Sequence, residues 1–388
     1  MTRRAEPRRP TSLARLAQTI VTMTVLFGCD GVQSTLVPAG PTARSIATLW
    51  WVMFAIGTVV SILVIALSLW AVARAHRPLG IEPPLRRSPE AAQARRAHSA
   101  GVQESAPRST VEPTLSDGEP LEVVLPTARG DRRPVHWVIA GGVAIPAVIL
   151  LGLFVLTLQT LGALAAQEEE PALTIEVVGW QWWWEVRYLD HTGRVLFETA
   201  NEIHLPAGEW IALRLEATDV IHSFWVPQLA GKVDMIPGRT TELRLQADAP
   251  GTYRGQCAEY CAGSHALMAM RVVVEPAQEF LDWSRRQTLP QAPPLDSLAA
   301  LGEEVFLGTA CRACHAIRGT PAVGNTGPDL THLASRSTLA AATLPNTRGH
   351  LGGWLANPQR IKPAAKMPAV PLDNVEFQAL LRYLETLE

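Results

Sequence analysis

Within twelve residues, CAEYCAGSHALM at 257–268, the chain sets two cysteines, a histidine and a methionine: Cys257, Cys261, His265 and Met268. A disulfide or a zinc knot would use the thiols and the imidazole but leave the methionine without a role. Zinc prefers thiolate and imidazole, whereas thioether sulfur is a soft ligand that suits copper. A second constellation, CRACH, holds Cys311, Cys314 and His315. In a C-x-x-C-H run two thiols can add to the vinyl groups of a heme c while the histidine ligates its iron. Alone, the same five residues also serve as a metal knot or arise by chance, so the surrounding elements have to decide.

The chain is 388 residues long, too long for one compact domain, and two or three folded parts are expected. A formal net charge of −2 argues against nucleic acid as a partner. Hydrophobic residues make up 47%, which points to membrane segments mixed with soluble domains. The cysteines outside the two motifs reduce to Cys29, a distribution that a disulfide framework would not produce.

Residues 1–28 begin basic and run into an apolar stretch, the layout of a secretory signal. LFGC approaches a lipoprotein cleavage box, with Phe27 bulky for it, so lipidation of Cys29, an ordinary cut near Gly28 and an uncleaved segment stay open. Apolar runs at 45–73 and 135–166 are each long enough to span a bilayer as a helix. Arg74, Arg77, Arg86 and Arg87 follow the first, Arg129, Arg132 and Arg133 precede the second, and QEEE comes after it. The excess of arginine puts the 74–134 loop in the cytoplasm and everything after residue 166 outside. That loop is rich in Pro, Arg, Ala, Ser and Glu and nearly free of aromatics, and reads as a disordered, solvated tether.

From 171 to 275 the pattern changes to short strands. WIALRLE alternates Ile211, Leu213 and Leu215 with Ala212, Arg214 and Glu216, and turn signals such as PAGE, IPGRT and DAPGT separate such runs. Many short strands with regular turns predict an antiparallel sandwich or barrel. DVIHSFWVP places His222 on a strand of this domain. One ligand from an earlier strand and the rest from a late loop is how copper is held in cupredoxin folds. Two thiolates on a tight loop can bridge two adjacent metals, each with one imidazole. Met268 and the carbonyl of Glu259 would take the weak outer positions, in a dinuclear site suited to one-electron transfer.

DVIHSFWVPQLAGKVDMIPGR, GQCAEYCAGSHALM and the preceding helical hairpin closely resemble cytochrome c oxidase subunit II, the subunit that carries the dinuclear copper A centre. The resemblance implies His222, Cys257, Glu259, Cys261, His265 and Met268 as the ligands of two copper ions. In GWQWWWEV it makes Trp182 the tryptophan that faces the electron donor, in a surface docking patch, with at least one of Trp180, Trp183 and Trp184 in the core. It also implies a magnesium ion on the Glu259 carboxylate at the boundary with subunit I, where Lys232 and Asp234 would lie. One departure stands out: Ile139 occupies the neighbourhood where many relatives carry a glutamate at the mouth of a proton channel, leaving proton entry through this subunit in doubt.

A Pro-rich connector closes the 276–297 linker, and 298–388 resembles the all-α class I cytochrome c domain. Leu298, Leu301, Val305 and Phe306 predict a helix before CRACH, and Phe377, Leu380, Leu381 and Leu384 predict the terminal helix. TGPDL, at 326–330, is similar to a recurring segment of that family. Met367 in AAKMPAV sits where that fold places its axial methionine, with His332 and His350 as competing ligands expected on the surface.

Together the parts look like the heme-c-fused, caa-type form of subunit II: a two-helix transmembrane hairpin, an all-β cupredoxin-like sandwich and a cytochrome c domain. The resemblance implies a bacterial plasma-membrane protein whose redox domains face the outside, partnered by subunits I and III. Electrons would enter from cytochrome c or another external donor and pass through heme c and copper A to a proton-translocating, oxygen-reducing subunit I. An electron-entry subunit of a copper A nitric oxide reductase and a free-standing membrane carrier are the alternatives. A copper chaperone is opposed by the heme motif.

Overall fold

The computed structural model describes residues 31–75, 133–165 and 169–388; the expectations for 1–28, for Cys29 and for almost all of the 74–134 loop lie outside them. The described residues divide into two compact units, one within Met1–Trp51 and Thr157–Glu388, the other within Val52–Leu156. Helix α1 (Pro41–Ala75) is followed by α2 (Arg133–Ile139), a π-helical turn (Ala140–Ala144) and α3 (Ile145–Ala165). Pro41–Arg74 and Val135–Leu164 are long and apolar enough to cross a membrane. The π turn falls on Gly141 and Gly142, and Ile139 is the exposed residue just before it.

A bilayer needs roughly 20 residues of helix, so α1, with 35, has turns to spare. The surplus lies at its N-terminus, which is fastened to protein. Thr42, Ala43 and Ala47 are buried there. Ala39 N donates to Gln228 O (2.7 Å), Asp248 N to Ala39 O (2.8 Å), and Arg44 grips Asp248 with two nitrogens at 2.8 and 3.1 Å. Gly40 permits this approach, since a Cβ there would collide with Gln246 O.

The ten strands that follow are β1 (Leu173–Trp180), β2 (Trp183–Leu189), β3 (Val195–Ala200), β4 (Glu202–Pro206), β5 (Ile211–Ala217), β6 (His222–Trp225), β7 (Val233–Met235), β8 (Thr241–Leu245), β9 (Gly251–Cys257) and β10 (Ala269–Glu275). They form two five-stranded sheets, β3-β2-β1-β5-β8 and β4-β10-β9-β6-β7. The sheets are mixed rather than purely antiparallel as expected from the turns: β1 pairs β5 and β10 pairs β4 in parallel. The cause is sheet switching. The chain leaves the first sheet after β3, adds β4 to the second, and returns as β5 beside β1 in the same direction. Ile211, Leu213 and Leu215 point inward as their alternation predicts, into a core with Trp184, Tyr188 and Phe224.

Helix α4 (Ala277–Gln287) belongs to this sandwich, so the stretch read as a linker starts with a docked element. Trp283 stacks on His204 at 4.0 Å and meets Tyr188 edge-on at 5.3 Å, and Phe280 is buried beside it.

The last part holds α5 (Ser297–Gly308), α6 (Cys311–Cys314), the short hairpin β11 (Thr338–Leu339) and β12 (Leu344–Pro345), α7 (Arg348–Ala356), α8 (Pro358–Ile361) and α9 (Asn374–Leu384). Both ends of the pairing are capped: Asp296 accepts from Ala299 N, and Asp373 forms a reciprocal capping box with Glu376. Val305, Phe306, Leu380, Leu381 and Leu384 form the core as expected. Leu298 and Leu301 instead face outward. Helix α5 meets α9 through its small face, Ala299 and Gly302, because the two helices cross too closely for leucine. A Cβ on Gly302 would collide with Ala379 O and Tyr383 Cβ.

Gly302→Ala should therefore force α5 and α9 apart and destabilise this part by about 1–3 kcal/mol, seen as a lowered thermal midpoint in far-ultraviolet circular dichroism. An unchanged midpoint would mean the crossing is looser than described.

Candidate functional site

The strand ends bring the first ligand set together. His222 opens β6, Cys257 closes β9, His265 starts a 3-10 turn (His265–Leu267), and Met268 immediately precedes β10. The connecting loop is shut at its base by Cys257 N to Met268 O (2.8 Å) and tied to β6 by Ala258 N to Ser223 O (3.0 Å). It reverses through Ala262 and Gly263 in left-handed backbone.

The side chains form a chain of near contacts. His222 Nδ1 lies 3.8 Å from Cys257 Sγ, the two sulfurs are 3.8 Å apart, and Cys261 Sγ lies 3.6 Å from His265 Nδ1. Met268 Sδ stands 3.9 Å from Cys261 Sγ, and Glu259 O stands 3.2 Å from Cys257 Sγ. All but His265 and Glu259 are buried. The sulfurs are too far apart for a disulfide. Twice a metal–thiolate bond of roughly 2.3 Å exceeds 3.8 Å, so one ion can bond both sulfurs, on either side of the line joining them. The donor set therefore fits metal: two thiolates, an imidazole at each end, and two weak outer donors.

Electrostatics lead the same way. The contact with Cys261 pulls the Cys257 thiol down, helped by His222 and opposed by burial. The contact with Cys257, together with burial, pushes Cys261 up. A second thiolate therefore needs positive charge beside it, which a bound cation would supply. The outer nitrogen of His222, Nε2, is 2.9 Å from Asp219 Oδ1. Burial opposes ionisation of Asp219, but the bonds from His222 and from the amides of Gln181 and Val220 hold its carboxyl well below the usual range. Asp219 thereby orients the ring so that Nδ1 faces the sulfurs. Its role was missed in the sequence, where the only sign was its place three residues before His222.

Glu259 offers two different oxygens: its carbonyl faces Cys257, while its carboxylate accepts from Tyr260 N at 3.2 Å. Lys232 and Asp234 form a half-exposed pair 3.9 Å apart. Trp184 is core, packing edge-on to His222 and Phe224. Trp182 is 7% exposed, so the expected open docking patch around it is corrected. Its Nε1 donates to Cys261 O (2.9 Å) and Ala262 O (3.0 Å), and Lys362 from the C-terminal part reaches its carbonyl.

The second motif lines a cavity of 510 Å³ with Met367 and Trp182. Cys311, Cys314 and His315 face it from α6 and its C-cap, among apolar Leu330, Leu351 and Trp354. His315 Nδ1 is 2.7 Å from Pro328 O, which can only accept, so Nδ1 carries the proton and Nε2 is left as a ligand. The buried Arg336 also lines the cavity, and its Nε has no hydrogen-bond partner among the described residues. Volume, thiols, imidazole, thioether and an orphaned guanidinium nitrogen together fit a large apolar group bearing carboxylates. His350 is exposed as expected. His332 is not at the surface: it is buried, with Nδ1 2.6 Å from Glu388 O and Nε2 3.1 Å from Leu289 O. Both ring nitrogens face carbonyl oxygens rather than the cavity, and the neutral ring that burial favours donates to one of them.

The family described as cytochrome C oxidase subunit II, periplasmic domain, matches residues 189–276, and the family described as cytochrome c matches 299–388. The cytochrome c oxidase subunit 2 of Alkalihalophilus pseudofirmus is 35% identical over 250 residues, covering 63% of this chain and 71% of its own. That of Bacillus sp. (strain PS3) is 32% identical over 263 residues, covering 63% and 72%. Among solved structures, the periplasmic domain of subunit II of cytochrome oxidase of Bradyrhizobium japonicum is 31% identical, spans 31% of this chain and 95% of its own, and has a TM-score of 0.29.

Asp219→Ala removes the partner of His222 Nε2 without touching a ligand atom. It should lower copper affinity about 10–100-fold, measured by competition with a chelator; wild-type affinity would mean that the ring is held by packing alone.

Proposed function

Since the chain belongs to the cytochrome c oxidase subunit 2 family, we propose that it is the electron-entry subunit of a respiratory oxidase, loaded with dinuclear copper A and one heme c. It is subunit II of a heme-copper oxidase with a cytochrome c domain, anchored in a membrane with its copper-type domain on the outer side. Cys257, Cys261, His222 and His265 would hold the copper pair, with Met268 and the carbonyl of Glu259 outside it. Cys311 and Cys314 would bind heme c covalently, with His315 and Met367 on its iron. When bound, these groups supply reversible one-electron redox chemistry.

The observation that carries the reading is Trp182. Its indole nitrogen bonds two carbonyls of the copper loop, while the same residue walls the cavity of Cys311, Cys314, His315 and Met367. Electrons from cytochrome c or another external donor would thus enter at heme c, pass copper A, and leave for the oxygen-reducing subunit I of a proton-translocating complex. The chain's own residues would position both sites: β6, β9 and the loop before β10 carry the candidate copper ligands, and Pro328 O accepts from His315. The outward Glu259 carboxylate, with Lys232 and Asp234, is suited to a magnesium ion at the boundary with subunit I. Subunit III and a bacterial plasma membrane complete the proposed setting.

Rapid mixing of the assembled complex with reduced cytochrome c tests the order. The heme c band should reduce first and the copper A band follow. In Cys257→Ser, heme c should still reduce while oxygen consumption is lost. Copper reduction ahead of heme c would contradict entry through the heme.

A further inference from the structure

The contact between the cytochrome c part and the sandwich is built around two nearly fully buried charges. Glu202, at the start of β4, is 3% exposed, and its Oε1 accepts from Ser337 Oγ (2.6 Å), Thr338 N (2.9 Å) and Thr338 Oγ1 (3.1 Å). Lys362, just after α8, is also 3% exposed, and its Nζ donates to Trp182 O (2.6 Å), Leu267 O (2.9 Å) and Ala340 O (3.0 Å). The arrangement is reciprocal. The carboxylate of the sandwich is satisfied by the cytochrome c part, and the lysine of the cytochrome c part spends two of its three donors on the sandwich. Burial pulls the Lys362 ammonium down to about 7, with the Cys261 sulfur acting the other way.

The segment between these anchors is strained. Ala340, Ala341 and Ala342 all have left-handed backbone, with φ of 53°, 59° and 55°. That conformation is unfavourable for any residue other than glycine, so something must hold it. Ala340 O takes Lys362, and Ala341 O takes Ala269 N of β10 at 3.2 Å. Thr343 Oγ1 adds a bond to Leu267 O at 3.2 Å, and Ser264 Oγ bonds Pro363 O. Apolar contact tolerates sliding. A buried charge stripped of its partners does not, because several kcal/mol per ion then go uncompensated.

We propose that Lys362 and Glu202 are a pair of buried latches that fix the cytochrome c domain in a single register on the copper domain. They are positioning residues: by holding the heme cavity against Trp182 they set the rate of electron passage from heme to copper. This rests on the heme-to-copper route proposed above. The three acceptors of Lys362 include the carbonyl of Trp182 itself and that of Leu267, the residue before Met268, so loss of the lysine loosens the path without removing a ligand.

The test uses the assembled oxidase carrying Lys362→Met, Glu202→Ala or Glu202→Gln. Amide exchange is followed at 264–269 and 338–343, and heme-to-copper transfer is timed after light-driven electron injection from a ruthenium complex. Lys362→Met and Glu202→Ala should each speed exchange and slow transfer about ten-fold, with the heme and copper spectra unchanged. Glu202→Gln keeps an acceptor oxygen and should stay near wild type. If Lys362→Met does not assemble, the glutamate pair carries the test. Wild-type exchange in Lys362→Met and Glu202→Ala would overturn the latch, and opened exchange with unchanged transfer would overturn its role in the rate. Altered copper or heme spectra would also overturn it, by placing these residues in the centres themselves. Failure of the route is a different result: no transfer from heme to copper in the unmodified complex.

Discussion

Two buried thiols that face each other without bonding are the constraint around which this molecule is arranged. Left alone, they resist carrying two negative charges, and at 3.8 Å they are not bonded to one another. Cys257 pairs with Phe224 in the β9–β6 ladder, the loop base is shut by Met268 O, and His222 lies on that same β6 with its outer nitrogen already committed to Asp219. Rigid ligands in a dry pocket favour a group that gains and loses single electrons with little rearrangement.

The cytochrome c part extends that site rather than standing beside it. Trp182 bonds the carbonyls of Cys261 and Ala262 and lines the cavity of the C-x-x-C-H motif, and Lys362 of the same chain reaches its carbonyl. On the proposed route, a donor from outside would meet the cytochrome c part. On that route, fusion would replace a transient encounter with a permanent one, and the buried polar contacts at 202 and 362 suit such permanence: they are directional, mutually satisfied and costly to separate.

What was legible in the sequence was local. Five of the six candidate copper ligands lie within twelve residues and the heme-type motif lies within five, so their spacing is visible in the chain, whereas His222 stands 35 residues before Cys257. The helical hairpin and the strands are visible because apolar length and alternation are properties of single segments. What escaped depends on distant partners. The parallel pairing of β1 with β5 follows from where the chain changes sheets, and no single strand records it. Leu298 and Leu301 fit an apolar stripe, yet α5 packs by Gly302, because the closeness of α9 decides the face. His332 resembles any surface histidine until Leu289 and Glu388 are found against it. Asp219, Glu202 and Lys362 are ordinary charged residues in the sequence, and only the fold buries or aims them.

The most direct measurement is electron paramagnetic resonance with metal analysis on the purified, oxidised chain, alongside its optical spectrum. Two copper ions per heme iron are expected, with the hyperfine pattern of one unpaired electron shared equally by two copper nuclei, beside a low-spin heme c. One copper per iron with an ordinary mononuclear pattern would contradict the bridging role of Cys257 and Cys261, and with it the arrangement on which the rest of the structure depends.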